Sequence, residues 1–210
     1  MTDFLKNNWE VLTATYDTGY SSKTYKELIQ HYSSPKRYYH NLAHIEALLK
    51  LTELHKQLLK APDTIRFAVW FHDAIYNASK NNNEEKSAAL AEEHLTEMEV
   101  EQNVISDCCK MIIATKTHEL PSDMDTFDAR FLLDIDLSIL ATPQEVYLQY
   151  TKQIRKEYSI YPDFMYNKGR KKVLKHFLDA ERIFKTDLFF DLNEKKARNN
   201  LAWEHDLFSS

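Results

Sequence analysis

Trp70-Phe71-His72-Asp73 sets an imidazole and a carboxylate side by side inside an apolar run. The run opens with Ile65, Phe67, Ala68 and Val69 and closes with Ala74, Ile75 and Tyr76. Burying a carboxylate there costs several kcal/mol unless it is paired or holds a metal. Two other stretches supply partners, Tyr39-His40-Asn41-Leu42-Ala43-His44 and Leu133-Asp134-Ile135-Asp136-Leu137-Ser138. Read together, His44, His72, Asp73 and Asp136 make a mixed nitrogen and oxygen ligand set. Imidazole with hard oxygen and no thiolate suits a divalent ion, whether Mn, Fe, Co, Ni, Mg or Zn.

Helices must position these groups. Only two glycines occur in 210 residues, too few for the turns of sheets and hairpins, so the chain reads as all-α. Apolar spacing predicts a helix from about Asp3 to Tyr16, broken by Gly19 and Ser21-Ser22, and a second one capped by Ser22. Asn41 caps a third that runs to about Lys60, and Pro62-Asp63 opens a central buried helix reaching about Tyr76. Asn77 to Asn83 is a polar loop, followed by a helix with Glu84 and Glu85 in its first turn. Another spans about Val104 to Lys116. The segment from His118 ends at Asp128, read as the N-cap of a helix from about Ala129 to Leu140. Thr142, Pro143 and Glu145 start a helix to about Tyr158, and two more cover about Phe164 to Phe184 and Asn193 to Phe208. Leu132, Leu133 and Leu140 share a face with Asp136, which turns that carboxylate inward; Asp134 lies elsewhere on the wheel, as a solvated or locally bonded acceptor.

Composition narrows the functions. Hydrophobic residues at 43% and charged residues at 28% describe an ordered globular chain. A net charge of -5 argues against a partner that is a nucleic-acid polymer. No apolar run approaches the ~20 residues of a membrane span, and the N-terminus does not read as a signal peptide. Cys108 and Cys109, neighbours pointing about 100° apart on a helix, read as small apolar fillers in a cytoplasmic protein.

His40 and His44 stand four apart, a zinc-protease spacing, but that motif needs Glu where Asn41 stands, so the protease reading fails. The order His44, His72-Asp73, Asp136 resembles the HD superfamily of metal-dependent phosphohydrolases, named for its central pair. Tyr39-His40-Asn41 with His44 looks like the start of the catalytic domain of class I cyclic nucleotide phosphodiesterases, and Asp136-Leu137-Ser138 looks like their late metal-ligand segment. The chain, with Asn83-Glu84-Glu85, Ser87-Ala88, Ile154-Arg155-Lys156-Glu157-Tyr158 and Gly169-Arg170, is similar to a group of bacterial HD phosphohydrolases. Those phosphodiesterases carry a second histidine shortly after the His-Asp pair, where this chain has Ala74, Ile75, Tyr76 and Asn77.

The resemblance implies one HD-type helical domain over residues 1–210, with its motifs between about 37 and 140 and C-terminal helices packed on it. It implies hydrolysis of a small phosphorylated substrate, a nucleotide among the candidates, by metal-activated water. His44, His72, Asp73 and Asp136 would hold the divalent ion, with Asp73 also counted as catalytic, and His40 would be the general acid. Glu84 and Glu85 can orient water; His94 and His118 can serve a second ion; Arg37, Lys116, Arg155 and Arg170 can bind phosphate. Each also has an ordinary structural reading: a helix-end carboxylate, a surface histidine for His94, a cap for His118, or a solvated charge. His31, His55, His176 and His205 read as structural. Two other functions stand beside hydrolysis. An HD-fold di-iron oxygenase would enlist His94 or His118, and a helical ligand-binding scaffold would keep the pocket without turnover.

Overall fold

The computed structural model describes residues 2–16 and 18–208. The chain is 73% helical, with ten α-helices and no strand among the described residues, an all-α fold. It divides into two compact units, one up to Leu132 and the other from Leu133.

The first unit holds α1 (Thr2–Leu12), α2 (Thr18–Tyr32), α3 (Leu42–Leu54), α4 (Pro62–Phe71), α5 (Asn83–Glu97) and α6 (Gln102–Ala114). Helix α4 is its centre: every residue from Thr64 to Phe71 is buried, and α3, α5 and α6 pack against it. Trp70 shows how the apolar run is secured. Its indole donates to Asn8 Oδ1 at 3.1 Å, its carbonyl accepts from Tyr32 OH at 3.0 Å, and Trp9 meets it edge-on at 5.4 Å. Such aromatic pairs add about 0.5–1.5 kcal/mol beyond area burial.

Several predicted boundaries move, each because a side chain captures backbone groups. Helix α1 stops at Leu12, where Thr13 Oγ1 donates to Trp9 O at 2.9 Å, and not at Tyr16. Gly19, Ser21 and Ser22 lie inside α2 instead of breaking it, with the Ser21 carbonyl accepting from the Trp9 indole at 2.9 Å. Asn41 does cap α3, its Oδ1 accepting from Ala43 N at 2.9 Å. That helix ends at Leu54 rather than Lys60: the chain tightens into a 3-10 turn over Lys56–Leu58, and Asp128 then takes the N–H groups of Lys60 at 3.0 Å and Ala61 at 2.7 Å. Asp128 therefore serves the start of α4 and not its own helix. Helix α4 ends at Phe71, not Tyr76, since Arg37 holds the Asp73 and Ala74 carbonyls at 2.5 and 2.6 Å.

Helix α7 (Phe127–Asp136) contains the division between the units. After it, the second unit has a 3-10 turn over Leu137–Ala141, then α8 (Gln144–Glu157), α9 (Asp163–Asp179) and α10 (Asp187–Leu207). The α-helical part of the predicted Ala129–Leu140 stops at Asp136, and Asn200 takes the Leu140 carbonyl at 2.8 Å. Thr142 closes the 3-10 turn by donating to Ile139 O at 2.8 Å; it does not cap α8. Helix α9 ends at Asp179, short of Phe184, because Glu194 accepts from the N–H groups of Ile183 and Phe184, each at 3.1 Å. Helix α10 starts at Asp187, ahead of Asn193, with Thr186 as its cap.

Asp134 is neither solvated nor locally bonded. It is fully buried and accepts from Lys185 N, Thr186 N and Thr186 Oγ1 at 2.5, 2.8 and 2.5 Å. Burial pushes its carboxyl up to about 6 against these three hydrogen bonds, which pull it down.

Candidate metal centre

Three of the four expected ligands meet within the first unit. His44 sits in the first turn of α3, placed there by the Asn41 cap, and His72 closes α4 with its N–H on Ala68 O at 2.8 Å. Asp73 follows as the chain leaves the helix. His44 Nε2 and His72 Nε2 are 3.3 Å apart, Asp73 Oδ2 is 3.2 Å from His72 Nε2, and it lies 3.9 Å from His44 Nε2. Both imidazoles are buried, while the Asp73 carboxylate keeps some access to water.

The protonation of His72 follows from its other nitrogen. Nδ1 lies 2.9 Å from the Val69 carbonyl, which can only accept, so Nδ1 carries the proton and Nε2 presents a lone pair. A carbonyl behind a ligating imidazole fixes its tautomer and aim, the usual outer partner of a metal-bound histidine. The spacing fits as well. Bonds of ~2.0–2.1 Å place neighbouring nitrogen ligands roughly 3.0–3.4 Å apart between octahedral and tetrahedral limits, and the two Nε2 atoms stand at 3.3 Å.

No family model, curated protein or solved structure matches the chain.

His40 lies in the bend before α3, half-buried, stacked on Tyr76 at 4.3 Å with its ring 6.1 Å from that of His44. Arg37 is buried and directs its guanidinium to backbone: Nη1 to His40 O at 3.1 Å and Asp73 O at 2.5 Å, Nη2 to Ala74 O at 2.6 Å. One side chain thus ties the His40 bend to the His72-Asp73 turn. The Arg37 bonds to main chain and the stacking of His40 on Tyr76 join residues about 36 positions apart, and no spacing in the sequence announces them.

The other candidates are placed as follows. Asp136 is the last residue of α7, half-buried, in the second unit. Glu84 and Glu85 begin α5; Glu85 pairs with Lys116, whose Nζ also reaches Asn81 O at 2.7 Å. His118 follows α6 with φ 53°, its N–H on Ala114 O at 2.9 Å, a left-handed helix end. His94 is not on the surface. It is buried on α5, with Nδ1 3.2 Å from Thr24 Oγ1 and Nε2 3.4 Å from Glu27, because the face of α5 that carries it packs over Phe71. Arg155 binds Tyr158 O at 3.0 Å, Tyr161 O at 3.1 Å and Asp163. Arg170 is buried in a bidentate pair with Glu204 at 2.7 and 2.9 Å.

Proposed function

We propose that this protein is a metal-dependent phosphohydrolase acting on a small phosphoester, a nucleotide among the candidates. The observation that carries the reading is the convergence of His44 Nε2, His72 Nε2 and Asp73 Oδ2, with the Val69 carbonyl fixing the His72 tautomer. The HD resemblance gives the fourth ligand place to Asp136, and His44, His72 and Asp136 are of the types that hold such an ion.

A divalent ion held there lowers the pKa of bound water and polarises the phosphoryl oxygen. The chain's own groups do the rest. His72 presents its Nε2 lone pair toward His44 Nε2, the Asp73 carboxylate stands beside both, and Arg37 keeps the Asp73 turn in place. His40, stacked on Tyr76 beside His44, is the group that gives a proton to the leaving oxygen, a task suited to an imidazole near neutral pH. The oxygenase reading draws no support from His94, whose nitrogens face Thr24 and Glu27.

The test is hydrolysis of phosphomonoesters, phosphodiesters and nucleotides by the full chain with added Mn, Co, Ni, Mg or Zn. Turnover is expected in wild type, falling about 10²–10⁴-fold in His40→Gln with metal still bound. Absence of turnover across the panel with metal bound would leave a binding scaffold as the better account.

A further inference from the structure

The first unit carries a cleft of about 800 Å³ between α2 and the segment from Ile75 to Lys86. Arg37 and Tyr76 belong to its lining, and they also touch the Asp73 carbonyl and the His40 ring. In a chain of net charge -5, the cleft gathers Lys23, Lys26, Lys80, Lys86 and Arg37 against one carboxylate, Glu27. That carboxylate is already turned to His31 at 3.7 Å and His94 at 3.4 Å. Among the described residues Lys26, Lys80 and Lys86 have no ion-pair partner, whereas Lys116, Arg130, Arg155, Arg170 and Arg198 each have one.

The walls are built rather than loose. Asn83 exchanges hydrogen bonds with the backbone of Asn77, both at 3.1 Å, and Ser87 Oγ accepts from Ile75 N at 3.0 Å. These bonds hold Lys80 and Lys86 opposite the α2 lysines. Like charges gathered on a walled concavity focus positive potential and raise the local concentration of a small anion. Cavities of roughly 300–1,000 Å³ are the usual size for small ligands.

We propose that this cleft binds a condensed phosphate of three or more phosphoryl groups, separately from the metal centre. Its charge matches the four lysines, whose ammonium groups can donate to its oxygens, while Arg37, with its donors on the His40, Asp73 and Ala74 carbonyls, adds positive charge to the wall. The chemistry is shared by inorganic tripolyphosphate and by the tail of a nucleoside triphosphate, so both are probes. The proposal does not depend on the hydrolase reading, since it uses none of the metal ligands.

Titration calorimetry of the full chain, without added metal, uses tripolyphosphate and ATP on wild type, Lys26→Glu/Lys80→Glu and His72→Ala. One saturable site is expected in wild type and His72→Ala, weakened at least about tenfold by the lysine reversals and by added salt. Tighter binding of ATP than of tripolyphosphate assigns a nucleotide; equal or weaker binding assigns the bare phosphate chain. Three results overturn the proposal: no saturable binding of either probe, binding indifferent to the lysine reversals, or binding lost in His72→Ala alone.

Discussion

His72 depends on a backbone oxygen. The Val69 carbonyl at 2.9 Å decides which of its nitrogens is protonated, and so which one can bind a cation. The cysteines read as apolar fillers are held as thiols by their surroundings. Burial pushes the Cys109 thiol up to about 11 and raises that of Cys108 well above its ordinary value. At pH 8 native Cys109 should react with iodoacetamide on the order of a hundredfold more slowly than an unperturbed thiol, since only thiolate attacks. Mass spectrometry should show both cysteines labelling once the chain is unfolded. The sequence exposes His72-Asp73 because two polar residues interrupt an apolar run. It hides the true state of Asp134 because α7 is buried nearly all round, from Phe131 to Ile135, so turning away from the Asp136 face still leads into protein.

Elements in this chain end where a distant side chain claims their backbone. Asp128 holds the N–H groups before α4, Glu194 and Asp134 hold those before α10, and Arg37 holds the carbonyls after α4. Sequence periodicity shows each helix but not its ends, because many of the groups that hold the ends come from elsewhere in the chain; Asn41 and Thr186 are local caps, and Asn41 could be read directly. Arg37 is the most consequential of these contacts. Arg37→Ala should lower stability by roughly 2–3 kcal/mol, as charged donors are lost from buried carbonyls. It should also weaken metal binding about 10–100-fold by loosening the turn that carries Asp73. Arg37→Lys should recover little of either, since an ammonium cannot span the three carbonyls as a planar fork does. Denaturant titration and metal-binding isotherms of the two variants decide this.

At the scale of the whole molecule, the all-α fold was legible in two glycines and unbroken helical spacing, and no described helix is long and apolar enough to cross a membrane. The composition gave no sign of two compact units, because α7 runs unbroken through the division and no linker marks it. The second unit buries the Arg170-Glu204 pair, with Tyr147 OH donating to the same carboxylate at 2.5 Å. Arg170→Ala should cost about 3–5 kcal/mol by leaving Glu204 unpaired, and Glu204→Gln in the same chain should restore part of the loss.

Metal content per chain, measured on purified wild type beside His72→Ala and Asp136→Ala, decides whether the His-Asp cluster holds a divalent ion. About one tightly held ion is expected in wild type and almost none in either variant. Wild type that stays empty after exposure to Mn, Fe, Co, Ni and Zn, or variants that retain the full complement, would contradict this and leave His44, His72 and Asp73 as a buried polar network.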